Sequence, residues 1–135
     1  MQQLEICGKE NGFIMSLIEV FQDIKNYHKA LGYDYTNATP TEKIQHFRNN
    51  ALALNQEVAE LVDGTPWKPW RSIESQTFDI SNIAEEIIDC IFFLGAISEI
   101  FEILPEELDE TFNDVFVKNY GRIKSGYNND PQERR

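Results

Sequence analysis

Residues 87–97, IIDCIFFLGAI, place apolar or small side chains in nearly every direction around a helix axis. A helix that is apolar all round has to be covered on all sides. A chain of 135 residues, with the four or so helices its patterning allows, has too few neighbours to do this alone. This segment therefore predicts a homo-oligomer, a two-fold dimer or a dimer of dimers, with the third helix buried at the interface.

The remaining helices follow from apolar spacing. Ile14, Leu17, Ile18, Phe21, Ile24 and Leu31 recur with helical period over residues 13–31, and Gly32 is a natural stop. A second helix is expected from about residue 41 to 62, through Ile44, Phe47, Ala51, Leu54, Val58, Leu61 and Val62. Thr39 or Thr41 caps it, Pro40 stands at its start, and Gly64 and Pro66 end it. Residues 65–78 read as a loop. The third helix begins near residues 79–81 and runs to about 103, and Pro105 opens a fourth that reaches about 123 through Leu108, Phe112, Val115 and Phe116. Nothing reads as a strand. The expected fold is all-α: one domain over residues 1–135, a bundle of four to five helices with polar tails at about 1–11 and 126–135.

Charge narrows the function. Twelve basic residues against 23 acidic ones give a net charge of −11. Such a chain does not bind nucleic acid through nonspecific phosphate contacts. An anionic ligand would need cations to reverse the local sign. No apolar run reaches the roughly 18 residues of a membrane span, and residues 1–11 lack the order of a secretion signal. A cytoplasmic location is expected. Cys7 and Cys90 suggest no disulfide framework, and Cys90 reads as a reduced, buried thiol.

Acids occur where acids are expensive. Glu86 and Asp89 lie three residues apart within the apolar third helix, hence on one face, and Glu57 and Glu60 repeat the device on the second. An unpaired buried carboxylate is protonated, meets a cation or binds a metal. Antiparallel packing of the two helices would bring the pairs together, and four carboxylates in one pocket require divalent ions between them. Oxygen ligands without His or Cys suit Mg²⁺ or Mn²⁺. The plain alternative is a solvated acidic face, which Glu57 and Glu60 alone would fit. Asp89, among Ile88, Cys90, Ile91, Phe92 and Phe93, has little room for one. Glu85 either supports the site or faces solvent.

Cations supply the complement. Lys118 and Arg122, four apart on the fourth helix with Asn119 and Tyr127 nearby, could grip phosphate oxygens. They could equally be cations favoured by a helix C-terminus. The loop segment TPWKPW, residues 65–70, sits between the two acidic helices. If it is polyproline-like, Trp67 and Trp70 share one face while Lys68 and Arg71 share another, an aromatic wall beside a cationic edge. The same tryptophans could simply pack the loop onto the bundle or a partner. His28 and His46 read as structural side chains. No Glu-x-x-His, Walker loop, nucleophile elbow or Cys/His zinc pattern occurs.

In order and spacing, Glu57-x-x-Glu60 followed by Glu86-x-x-Asp89 resembles the all-α nucleoside triphosphate pyrophosphohydrolases, the superfamily of MazG and the dimeric dUTPases. Their motif is Glu-Glu-x-x-Glu, a gap, then Glu-x-x-Asp, and Gln56 here replaces its first Glu. TPWKPWR looks like the Trp-Lys-x-Trp-Lys loop of phage dCTPase/dUTPase enzymes, EEIIDCIFFLGAI like their second acidic helix, and KNYGRIKSGY like their Lys-Asn…Arg…Gly-Tyr ending. The likeness runs from about residue 47 to 127. It implies a MazG-like bundle that hydrolyses a nucleoside triphosphate between the α- and β-phosphates. Glu57, Glu60, Glu86 and Asp89 would hold Mg²⁺ or Mn²⁺, more than one ion per site, to bridge phosphate oxygens and activate water. Trp67, Lys68, Trp70, Lys118, Asn119, Arg122 and Tyr127 would bind substrate. The superfamily includes enzymes for dUTP and dCTP and MazZ-like enzymes for dGTP. Two rivals stand beside this: a non-enzymatic acidic helical protein acting as a DNA mimic or inhibitor, and a purely structural helical dimer. The first predicts acids spread over exposed faces, and the second leaves Asp89 without a purpose.

Overall fold

The computed structural model describes residues 16–126. Four α-helices, α1 (Leu17–Ala30), α2 (Pro40–Asp63), α3 (Ile80–Ile100) and α4 (Pro105–Lys124), follow one another with a short 3₁₀ turn at Ile73–Ser75. No strand occurs among the described residues, and the fold is the all-α helical bundle expected. Phe13 and Ile14, most of the two polar tails, Cys7 and Tyr127 lie outside the described residues.

The helix starts are written in side chains. Ser16 and Glu19 form a reciprocal cap on α1, with Ser16 N–H donating to Glu19 Oε2 at 2.8 Å and Glu19 N–H to Ser16 Oγ at 3.2 Å. Thr39 and Glu42 repeat it on α2, at 2.7 and 3.2 Å, with Pro40 as the first helical residue. Of the two threonines expected to cap α2, Thr39 does so. Asp79 caps α3 by accepting the Asn82 N–H at 3.0 Å, and Leu104 N–H donates to Glu107 Oε2 at the start of α4. Gly32 follows α1 at φ 92°, where a side chain would be strained.

Packing is uneven. α2 and α3 form the main antiparallel pair, α1 lies on α3, and α4 packs on α1 alone among the described helices. The buried hydrophobic side chains are Ile24, Tyr35, Ala96 and Ile100. Within a single chain α3 is therefore not enclosed: Gly95, Ala96, Ser98 and Ile100 are buried, while Ile80, Ile87, Ile88 and Leu94 face outward. The reason is geometric, since α1 and α2 cover only two of its sides.

Gly95 is where α1 meets α3. A Cβ there would stand 2.6 Å from Ile24 Cγ2. Ile24 is itself only 4 % exposed, so the contact has little room to relax. Gly95→Ala is expected to destabilise the fold by about 1–3 kcal/mol through overpacking, read as a lower midpoint in urea or thermal denaturation.

Candidate functional site

The α2–α3 pair carries the acids on its facing surfaces. One carboxylate oxygen each from Glu57, Glu60 and Glu86 lies within 4.8 Å of the others. Asp89, one turn further along α3, joins Glu57 in bordering an adjacent cavity. Three of the four expected acids thus converge and the fourth flanks them.

Glu86 is the unusual member. It is 8 % exposed, and its Oε2 is buried without a hydrogen-bond partner. Burial pushes its carboxyl above the ordinary range, a hydrogen bond shared with Glu57 adds to this, and the charges of Glu60, Glu57 and Asp89 add further. An orphaned buried oxygen facing two more carboxylates fits a divalent cation. An oxygen-only donor set with neither His nor Cys favours a hard ion such as Mg²⁺ or Mn²⁺. Half-buried Cys90 feels the same field: burial raises its thiol, and Glu57, Glu86 and Asp89 raise it further, so it stays a thiol.

Two hollows flank the cluster. One of about 450 Å³ is polar and lies towards the C-terminal end of α2, lined by Glu60, Asp63, Asp79, Asn82 and Glu86. The other, about 630 Å³, lies towards α1 and is bounded by Tyr27, His28, Tyr35, Asn50, Phe92 and Phe93 besides Glu57 and Asp89.

A dUTPase family model matches residues 21–119, well over half of the chain. The chain belongs to this dUTPase family. No curated protein and no solved structure gives a significant match. Membership places the chain among nucleoside triphosphate hydrolases, and both acid pairs fall inside the matched span. Where the resembled motif has its first Glu, Gln56 donates from Nε2 to Glu60 Oε1 at 3.4 Å. No helix among the described residues is long and apolar enough to cross a membrane.

The other expected site residues of this dUTPase-family chain are placed less simply. Trp67 and Trp70 do meet, edge to face at 5.7 Å. They do so through a turn over residues 68–71, with Arg71 N–H donating to the Lys68 carbonyl at 3.1 Å, and not along a polyproline strand. Pro69, with its fixed φ, takes the second position of that turn. Trp67 Nε1 donates to Asp63 Oδ1 at 3.2 Å, which ties the loop to the polar hollow. Lys68 Nζ sits 5.8 Å over the Trp67 ring. Lys118, Asn119 and Arg122 are exposed on α4, which makes no contact with α2 or α3. Their own chain does not bring them to the acids. Arg122 Nη1 reaches Asn119 Oδ1 at 3.5 Å. Glu85 is exposed.

The aromatic cavity went unread in the sequence, although a signal for part of it was available. Asn50 precedes Glu57 by seven residues, and Phe93 and Ala96 follow Asp89 by four and seven. All three therefore share the faces already marked by the acids.

If Glu86 is a metal ligand, excess MgCl₂ should raise the melting midpoint of the wild type by roughly 10 °C at a hundredfold excess over Kd. Glu86→Gln should lose most of that rise in thermal denaturation. In the metal-free protein the Glu86 contribution is fully present below the ordinary carboxyl value of 4.5. It is lost as pH rises through the elevated value. Denaturation series from pH 4 to 8 (about the carboxylate range) should therefore show a decline with pH that Glu86→Gln flattens.

Proposed function

We propose that the protein is a metal-dependent (d)NTP pyrophosphohydrolase of the cytoplasmic nucleotide pool. It would cleave between the α- and β-phosphates to give a monophosphate and pyrophosphate. The observation that carries this is the buried, unpartnered Glu86 carboxylate facing Glu57 and Glu60 in a chain of the dUTPase family. The family description makes dUTP the first substrate to try, with dCTP and dGTP next.

In this reading Glu57, Glu60, Glu86 and Asp89 would hold Mg²⁺ or Mn²⁺, more than one ion per site. Ions bound there would supply the positive charge that admits a triphosphate to an acidic chain and would polarise its phosphorus–oxygen bonds. Glu57 belongs to the cluster and, with Asp89, borders the aromatic cavity, so these two would hold ions at the end of the triphosphate nearest that cavity. Trp67, Lys68 and Trp70 close the polar, phosphate end as a lid. The rival reading as an acidic DNA mimic is weaker, because its signature is acids spread over exposed faces and not a convergent, partly buried cluster.

A second copy completes the site. Ile87, Ile88 and Leu94 on α3, and Phe112, Val115, Phe116 and Val117 on α4, are large apolar side chains left exposed. Clustered apolar surface of this kind marks an interface. Because α4 touches only α1 of its own chain, a dimer could bring Lys118, Asn119 and Arg122, and with them Tyr127, to the partner's acids, where Arg and Lys neutralise phosphate charge.

Glu86→Gln and Asp89→Asn should each lower turnover of the best triphosphate at least about 100-fold while circular dichroism stays native. Turnover of no triphosphate by the wild type, with either Mg²⁺ or Mn²⁺, would overturn the reading. Light scattering should report a dimer or larger assembly. Mixing Glu86→Gln chains with Arg122→Ala chains should recover roughly a quarter of wild-type activity if sites are shared between copies, and none if each chain builds its own.

A further inference from the structure

A third hollow, of about 380 Å³, opens where the end of α1 and the loop after it face the end of α3. It stands apart from the acid cluster: Glu99, in its wall, lies ten residues beyond Asp89 on α3, about 15 Å along the axis. Two ammonium groups border it. Lys25 and Lys29 are four residues apart and share one face of α1, an arrangement that weakens a helix through repulsion. The ion pairs between described residues, His28 with Glu99 and Lys43 with Glu102, include neither lysine.

The carboxylates of the same wall are already engaged. Glu99 Oε2 is 2.7 Å from His28 Nδ1, and Glu102 Oε2 accepts from Lys43 Nζ at 2.7 Å. Asp34 Oδ1 accepts the Thr36 N–H at 2.9 Å and the Thr36 hydroxyl as well. Lys25 and Lys29 reach Glu99 and Asp34 only through their field. Glu102 keeps its bridge at φ 57°, backbone that glycine takes more readily, so a side chain is retained there against strain. The dipole of a helix C-terminus draws cations. That accounts for the two lysines, but not for the separate partner given to each of the three acids.

The rest of the wall suits a ring. Tyr33 is 54 % exposed and lies within 16° of parallel to Tyr35, with centroids 6.4 Å apart. Ile103 and Leu104 add apolar surface. A cationic edge beside an aromatic and apolar wall matches a phosphate carried on a flat heterocycle, and the volume is that of a small-molecule site.

We infer that this hollow is a second nucleotide site, which takes a nucleoside monophosphate on Lys25, Lys29 and Tyr33 without a metal ion. It adjoins the aromatic cavity through Tyr33 and Tyr35, which line both, and through Glu99, whose partner His28 lines the other. Only the choice of nucleotides as probes rests on the function proposed above.

The test is isothermal titration calorimetry of the full chain in EDTA at low ionic strength, with dUMP, dCMP, dGMP and inorganic phosphate as ligands. Without divalent ions the acid cluster repels phosphate, so binding that depends on the two lysines reports this hollow. At least one monophosphate should bind, and more tightly than phosphate. Lys25→Gln/Lys29→Gln should weaken it at least about tenfold. Arg48→Gln/Lys124→Gln, which removes the same charge elsewhere, should change it less than about twofold. Tyr33→Ala should weaken the monophosphate about threefold or more and leave phosphate unmoved. The replaced side chains are exposed or half-buried, so circular dichroism should stay native. No binding of any monophosphate, a comparable effect of the two charge variants, or a monophosphate no tighter than phosphate would overturn the inference. Hydrolysis of a triphosphate with Mg²⁺ would then stand untouched. Conversely, lysine-dependent binding by a chain that hydrolyses nothing would leave this site and remove the enzyme reading.

Discussion

How near α1 can come to α3 decides what else this chain can build. The approach is set at Gly95, whose missing Cβ leaves room for Ile24. With the helices seated there, His28 of α1 reaches Glu99 of α3 one turn further on, and Tyr27 reaches Phe92. A bulkier contact would lift α1 away and open the aromatic cavity along its length. The acids belong to α2 and α3, but the helix that shapes the space next to them belongs to neither pair. Close packing between two uncharged residues therefore governs the geometry around the charges.

The α2–α3 pair has the opposite character. Its facing carboxylates work against the packing that brings them together, since Glu57, Glu60 and Glu86 crowd into a few ångströms and one oxygen of Glu86 has lost its water without gaining a partner. Such an arrangement persists because the rest of the helix pair holds it. The cluster divides the groove by chemistry: a polar hollow with the tryptophan loop at one end, an aromatic cavity with Asn50 at the other. A ligand with an anionic tail and a flat, edge-bearing head meets this order along its own length.

Much of this was legible in the sequence because it is local. Thr39, Asp79, Gly32 and Pro105 mark helix ends through local chemistry, and a reader of spacing finds them, whereas the expected start at residue 13 passes over the cap at Ser16. The three-residue spacing of Glu57–Glu60 and Glu86–Asp89 fixes shared faces in the same way. What escaped depends on distant pairs. His28 and Glu99 are 71 residues apart, and nothing near His28 distinguishes it from a structural histidine. The α4 residues Lys118 and Arg122 sit on one face as their spacing requires, but which helix that face meets is a question of packing, and α4 meets α1. The polyproline reading of TPWKPW applied Pro69's effect on the residue before it and overlooked its aptitude for a turn with the residues after it.

Gln56 carries a last consequence. An amide occupies the place where the resembled motif has a carboxylate, and it gives a hydrogen to Glu60. One negative charge is absent from the crowd, and one of the remaining carboxylates is soothed by a neighbour that stays whether or not an ion does. A cation bound there would be held less tightly, and the empty cluster strains the helix pair less. With one charge fewer to oppose it, the pairing of α2 with α3 does not depend on an ion to keep its shape.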